Sequence, residues 1–271
     1  MSVTCMLSAK GSPGVTTAMV GLALAWSGAT RGRRAIAVDA DPIGGDTAAG
    51  ILRGAVEASV GVLPLATARG TTARRALDAA TVDLRGDGGA RLVPGVPDRA
   101  RAGALPLAWD VLDELHSELH RDGTDLLIDC GRVERADAPS PWLAACDLAV
   151  LLARPTLASV TAAHRLASGW SRSAASIEAL VIEAPSPYRA DEVADAIGVP
   201  LLGAIPFDPA SARVHSEGSA APRGFERSAY ARALRRVAAD MAATAVARAD
   251  LHLPAPDPQP AFPGGAPDGT F

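Results

Sequence analysis

Short, wholly apolar runs alternate along the chain with longer segments whose apolar positions recur every three or four residues. Residues 3–7, 35–38, 126–129, 148–152, 179–182 and 201–204 read as strands, and 91–93 as another, closed by Pro94-Gly95. Residues 16–27, 73–80, 159–170, 190–197 and 228–246 read as helices. In 109–120, Val111, Leu112, Leu115 and Leu119 carry the spacing of one amphipathic helix. A strand that is apolar throughout is covered on both faces. Its alternation with helices predicts an α/β fold: a doubly wound, mostly parallel sheet with helices on both sides. The right-handed crossover rule leaves few ways to connect it.

The 271 residues suffice for one large α/β domain or two small ones, and 48% of them are hydrophobic. Aromatic residues make up only 4%, so the core is built of Ala, Val and Leu. From Pro254 onward the chain is Pro, Gly, Ala and Asp with little to bury, which predicts a domain over 1–250 and a disordered tail over 251–271. The formal net charge of −4 argues against a general affinity for nucleic acid. Cys5, Cys130 and Cys146 lack metal-site spacing and read as buried thiols in a reducing compartment. No apolar run reaches membrane-spanning length, and no charged leader precedes the first strand, so a cytoplasmic location is expected.

Arginine is frequent, whereas Lys10 is the only lysine. Lysine's ammonium is a compact point charge, which suits phosphate oxygens in a tight loop. Lys10 stands in Ala9-Lys10-Gly11-Ser12-Pro13-Gly14-Val15-Thr16-Thr17, between the first strand and the first helix. That is the context of a phosphate-binding loop: glycines admit close backbone approach, and helix-start amides point at the anion. Thr16 is placed to offer a hydroxyl to a magnesium ion.

This segment resembles the deviant Walker A motif of the ParA/MinD family of P-loop ATPases, Lys-Gly-Gly-x-Gly-Lys-(Ser/Thr)-Thr. Lys10, Gly11, Gly14, Thr16 and Thr17 match it; Ser12 replaces a glycine, and Val15 replaces the in-loop lysine. The resemblance implies ATP and Mg²⁺ as ligands, held by residues 10–17. It also implies a homodimer in which Lys10 reaches the partner's nucleotide. Without the lysine that neutralises β- and γ-phosphate charge, hydrolysis is expected to be weak or absent. Small residues at that position make the chain most similar to the CpaE/TadZ pilus-assembly branch.

The resemblance extends over residues 3–245. Asp39-Ala40-Asp41-Pro42 matches switch I, which implies Asp41 as the group that places the attacking water and Asp39 as a neighbour of the metal. Asp46 matches a Gly-Asp of the CpaE branch. Leu126-Leu127-Ile128-Asp129 matches a Walker B strand, with Asp129 on Mg²⁺, and Cys130-Gly131-Arg132 stands in place of switch II. Glu183 occupies the family's base-contacting asparagine position, and Pro206 and Asp208 match the late loop beside the base. A carboxylate accepts from adenine's amino group but cannot donate to a ring nitrogen, so base choice stays open between adenine and guanine.

Other features read as structural. His116 and His120 lack a third ligand and read as solvated helix residues. Arg31, Arg33 and Arg34 read as an exposed turn. Arg232, Arg235 and Arg236 sit where ParA proteins carry DNA-binding charge, but the acidic total argues against that role. The tail has no basic residue for a MinD-like membrane helix. The leading expectation is a nucleotide-gated, dimeric positioning or assembly factor with a protein partner. The alternatives are an active ATPase in DNA partitioning or division positioning, and an interaction module without nucleotide.

Overall fold

The computed structural model describes residues 1–10, 13–57, 60–134, 140–170 and 176–252. In chain order the first half holds β1 (Val3–Ser8), α1 (Val15–Ala29), β2 (Arg34–Asp39), α2 (Val62–Leu65), α3 (Ala73–Ala80), β3 (Val82–Asp83) and β4 (Ala90–Val93). Next come α4 (Ala104–Glu114), α5 (His116–Arg121), β5 (Thr124–Arg132), α6 (Pro141–Ala145), β6 (Leu148–Ala153) and α7 (Leu157–Ser168). The last are β7 (Ser176–Glu183), α8 (Ala190–Ile197), β8 (Leu201–Pro206), α9 (Pro209–Ser216) and α10 (Ala229–His252). The eight strands lie in the order β3-β4-β2-β5-β1-β6-β7-β8. Neighbouring strands are parallel except at the edge, where β3 runs antiparallel to β4.

The apolar runs become strands because both of their faces are covered. On β1, Val3, Cys5 and Leu7 enter a core closed by α3, α4, α6, α7 and α8, while Met6 enters the opposite core under α1 and α10. β6 divides likewise, with Ala149, Leu151 and Ala153 on one side and Leu148, Val150 and Leu152 on the other. On α1, Met19, Leu22 and Trp26 are fully buried, each burial stabilising the fold by about 1.5–3 kcal/mol. All three cysteines are buried and free, and burial pushes the Cys5 thiol well up.

Several elements depart from the expected pattern. The helix expected over 109–120 begins at Ala104 and breaks at Leu115, whose backbone leaves the helical region and which separates α4 from α5. The elements α2, β3, α6 and α9 were not foreseen; β3 has two residues and α2 four, too few to show a period. The helix expected to end near 246 continues to His252, and the tail beyond lies outside the described residues.

Arg33 is not a residue of an exposed turn. Its guanidinium grips Asp125 through Nε at 2.7 Å and an Nη at 2.6 Å. The same buried carboxylate accepts from the Ser2 amide and hydroxyl at 2.9 and 2.8 Å and from Trp26 Nε1 at 3.1 Å. Burial alone would raise the Asp125 pKa, but Arg33 and Ser2 overcome it and hold the carboxyl below its ordinary range. This knot ties the chain start to α1 and β5 at the amino end of the sheet.

Candidate functional site

Chain growth reverses direction at β1: β2 and β4 lie to one side of it, and β6, β7 and β8 to the other. The crevice at the carboxyl ends of such strands is where open α/β sheets bind ligands. There β1 ends at Ser8, β2 at Asp39 and β5 runs through Asp129, with Asp39 and Asp129 side by side in register.

Gly14 precedes α1 with φ +97°, a left-handed conformation that favours glycine, and it offers no side chain to cap the helix. The first turn of α1 carries no acid. Among the described residues no side chain caps its opening N–H groups, and the helix dipole favours an anion there. Beside them lies a cavity of about 520 Å³ lined by Ser8, Gly14, Val15, Thr16, Thr17, Asp41, Asp46, Thr47, Asp129, Gly131 and Arg132. Residues 49–51 and 215–216 complete its wall.

Thr16 Oγ1 donates to Asp129 Oδ2 at 2.5 Å, and the Gly131 amide donates to Oδ1 at 2.7 Å. Burial, then the charge of Asp39, pushes the Asp129 carboxyl up to about 7. Burial also raises the pKa of Asp39 and that of Asp41. Neighbouring acids resist ionising together, and among the described residues no three acid, histidine or cysteine side chains are grouped closely enough to hold a metal ion by themselves. Asp41 faces the cavity and lies directly against Gly131: a Cβ built there would fall 2.3 Å from its carboxyl, and φ is +62°. Ile43 N donates to Asp41 Oδ1 at 2.8 Å.

The expected site residues separate into groups. Thr16, Thr17, Gly14, Val15, Asp41 and Asp129 meet at this cavity. Asp39 does not line it. Its buried carboxylate accepts from Thr47 Oγ1 at 2.8 Å and is enclosed by Gly45 and Gly95, where a Cβ would lie 2.1 and 2.7 Å away. Lys10 is exposed beside the cavity and does not line it. Gly11 and Ser12 lie outside the described residues.

The expected base contacts fall at an adjoining cleft of about 120 Å³, whose lining includes Pro13, Gly14, Thr17, Pro206, Phe207 and Asp208. Arg154 lies over the Phe207 ring, 5.4 Å from its centre. Glu183 is exposed and does not line this cleft; its backbone carbonyl accepts from Phe207 N at 2.6 Å. Asp208 caps α9, accepting from Ser211 Oγ at 2.6 Å and Ser211 N at 3.1 Å. Those bonds lower its pKa.

Sequence reasoning missed Thr47 and the α9 wall. The pair Asp208-Pro209 was the available signal, because an Asp cap followed by Pro at the first helical position opens a helix. No signal marks Thr47, whose partner is set by the fold of the loop.

No protein-family model matches the chain, and no curated protein does. Solved structures do. The cell division ATPase MinD of Pyrococcus furiosus superposes with a TM-score of 0.67 at 22% identity, covering 90% of this chain and 99% of that one. MinD of Pyrococcus horikoshii, solved with Mg-ADP, gives 0.65 at 20% identity over 92% and 99%. A ParA family ATPase of Chlorobium tepidum gives 0.62 at 18% over 88% and 98%. The chain thus has the P-loop NTPase fold of the ParA and MinD proteins. Among the described residues, no helix is long and apolar enough to cross a membrane.

Proposed function

We propose that this chain binds ATP with Mg²⁺ and acts as a nucleotide-gated, dimeric positioning or assembly factor of the CpaE/TadZ kind, with weak hydrolysis or none. The observation that carries this reading is the cavity at the start of α1, lined by the helix start without a side-chain cap, by Asp41, Asp46 and Asp129, and by the buried Val15. The amides would hold phosphate oxygens. Thr16 and Asp129 would hold the metal, which neutralises phosphate charge when bound. Asp41 is the group in reach to orient a water, and Lys10 stands outside the cavity, where a second subunit would meet it. Mg-ADP in the Pyrococcus horikoshii MinD structure supports the ligand class.

An apolar side chain at position 15 supplies no charge to a developing transition state, so binding energy is spent on dimerisation and partner recruitment instead. The test is titration with Mg-ATP, with molecular mass followed by light scattering. Wild type is expected to bind and dimerise, and Lys10→Ala to bind and remain monomeric. Turnover in wild type at the rate of Val15→Lys would favour an active partitioning or division ATPase. A folded protein that takes up no nucleotide would favour a bare interaction module.

A further inference from the structure

The segment after Asp41 leaves the carboxylates and returns to the cavity from outside. Thr47 is tied to Asp39 by its hydroxyl at 2.8 Å and by its amide at 3.4 Å. The chain then coils tightly: Gly50 N bonds Asp46 O at 2.7 Å, Leu52 N bonds Thr47 O at 3.2 Å, and Gly54 N bonds Ala48 O at 2.7 Å. Ile51 and Leu52 anchor it to the core beneath α1 and α10.

This coil meets the end of α9 backbone to backbone. A Cβ on Gly50 would lie 2.3 Å from the Ser216 carbonyl, and one on Gly218 2.5 Å from the Ile51 carbonyl. Arg53, held at φ +52°, donates from Nε to the Glu217 carbonyl at 3.1 Å. The α9 helix in turn lies on α1, where a Cβ on Gly21 would meet the His215 ring at 2.7 Å. Its other end is capped by Asp208 beside the small cleft. Thr47, Gly50, Ile51, His215 and Ser216 all line the cavity, so the junction forms its outer wall.

We propose that residues 46–54 and the turn 216–218 form a clasp that governs release of the cavity's ligand, with Asp39 as the pin tying the clasp to the carboxylates. This rests on the reading of the cavity as a nucleotide site. It assigns Asp39 a positioning role: enclosed by Gly45, Gly95 and Thr47, its carboxylate is committed to the loop rather than to the cavity. Displacement of Thr47 by a change at the acids would be transmitted through one turn of chain to α9.

The test measures dissociation of a fluorescent ADP by stopped flow, and amide hydrogen exchange without nucleotide. Gly50→Ala places a methyl against two carbonyls that cannot swing away, so dissociation is expected to accelerate about tenfold. Amides of 46–54 and 213–218 are expected to exchange faster together. Arg53→Gly suits the positive φ and removes the bond to Glu217, so it tests the clasp independently should Gly50→Ala fail to fold. Thr47→Val is expected to match Gly50→Ala, and Thr47→Ser, which keeps the hydroxyl, to restore the wild-type rate. Folded Gly50→Ala or Arg53→Gly with unchanged release and exchange overturns the clasp. Equal effects of Val and Ser at position 47 overturn the role of Asp39. Wild type that binds no nucleotide overturns the reading of the site and the release role together, whereas coupled exchange in Gly50→Ala would still establish the contact.

Discussion

Replacing Asp129 with asparagine is expected to stabilise the nucleotide-free fold and, on the proposed reading of the site, to weaken metal binding. The Asp129 carboxyl is buried and lies beside Asp39, and burial first, then that neighbour, raises its pKa from 3.8 to about 7. A rise of that size corresponds to roughly 4 kcal/mol of differential stability as an upper limit. The sign follows from proton binding. Between pH 4 and 7 the folded state holds this proton more tightly than the unfolded state. Its contribution is complete below pH 4 and is lost as pH climbs through 7. The substituted amide cannot ionise, yet its oxygen can still accept from Gly131 N or Thr16 Oγ1. Urea unfolding in EDTA at pH 5 to 8 is the assay. Asp129→Asn is expected to exceed wild type by about 2–4 kcal/mol at pH 8, with the advantage shrinking toward pH 5. A variant less stable than wild type at pH 8, or one with a parallel pH profile, would refute the reasoning.

At the other end of the sheet, Asp125→Asn strands the Arg33 guanidinium and is expected to lose about 3–5 kcal/mol by urea unfolding. Because the folded pKa of Asp125 is depressed, its contribution holds above about pH 4 and fades as acid protonates it. Burial drives the His215 pKa down to about 4, so the imidazole folds neutral. Wild-type stability is expected to fall as pH drops from 6.5 toward 4, and in His215→Phe that part of the slope should vanish. Gly131→Ala forces both a positive φ and a contact with the Asp41 carboxyl. It is expected to weaken Mg-nucleotide binding at least tenfold, measured by calorimetry, with a loss of stability of about 1–3 kcal/mol.

How much of this was legible depends on which interactions set each element. The central strands announced themselves because burial on both faces demands continuous apolar runs. That Gly14, Thr16, Asp41 and Asp129 belong to one place was legible because a glycine-bearing turn before a helix and acids at the carboxyl ends of apolar strands converge in such a sheet, and the fold gathers them at one cavity. Arg33 was misread because an arginine before a strand looks the same whether it faces water or a buried acid more than ninety residues on; only the fold brings Asp125 to it. Leu115 broke a helix whose period is unbroken in sequence. The roles of Asp39 and Thr47 were hidden because Gly45 and Gly95 close around that carboxylate only after β2 and β4 pair.

The charge balance of the cavity decides what the missing lysine changes. Arg132 is the only arginine or lysine among its described lining residues, and its guanidinium is half exposed and paired with Glu134 at 3.3 Å. Asp41, Asp46 and Asp129 line the same space, so the protein alone presents net negative charge to a triphosphate. Helix amides offset part of that repulsion but carry only about half a charge in sum. On the proposed reading of the cavity as a nucleotide site, the remainder would arrive with the ligand, which would make the cation a condition of binding rather than an aid to catalysis. Wild type is therefore expected to lose ATP affinity by at least about a hundredfold when EDTA replaces Mg²⁺, equivalent to roughly 2.7 kcal/mol. Val15→Lys, with an ammonium in the wall, is expected to lose far less. Calorimetric titration of both proteins with and without metal measures this directly. Equal metal dependence in the two would mean that position 15 does not face the phosphates, and the explanation of weak hydrolysis would fall with it.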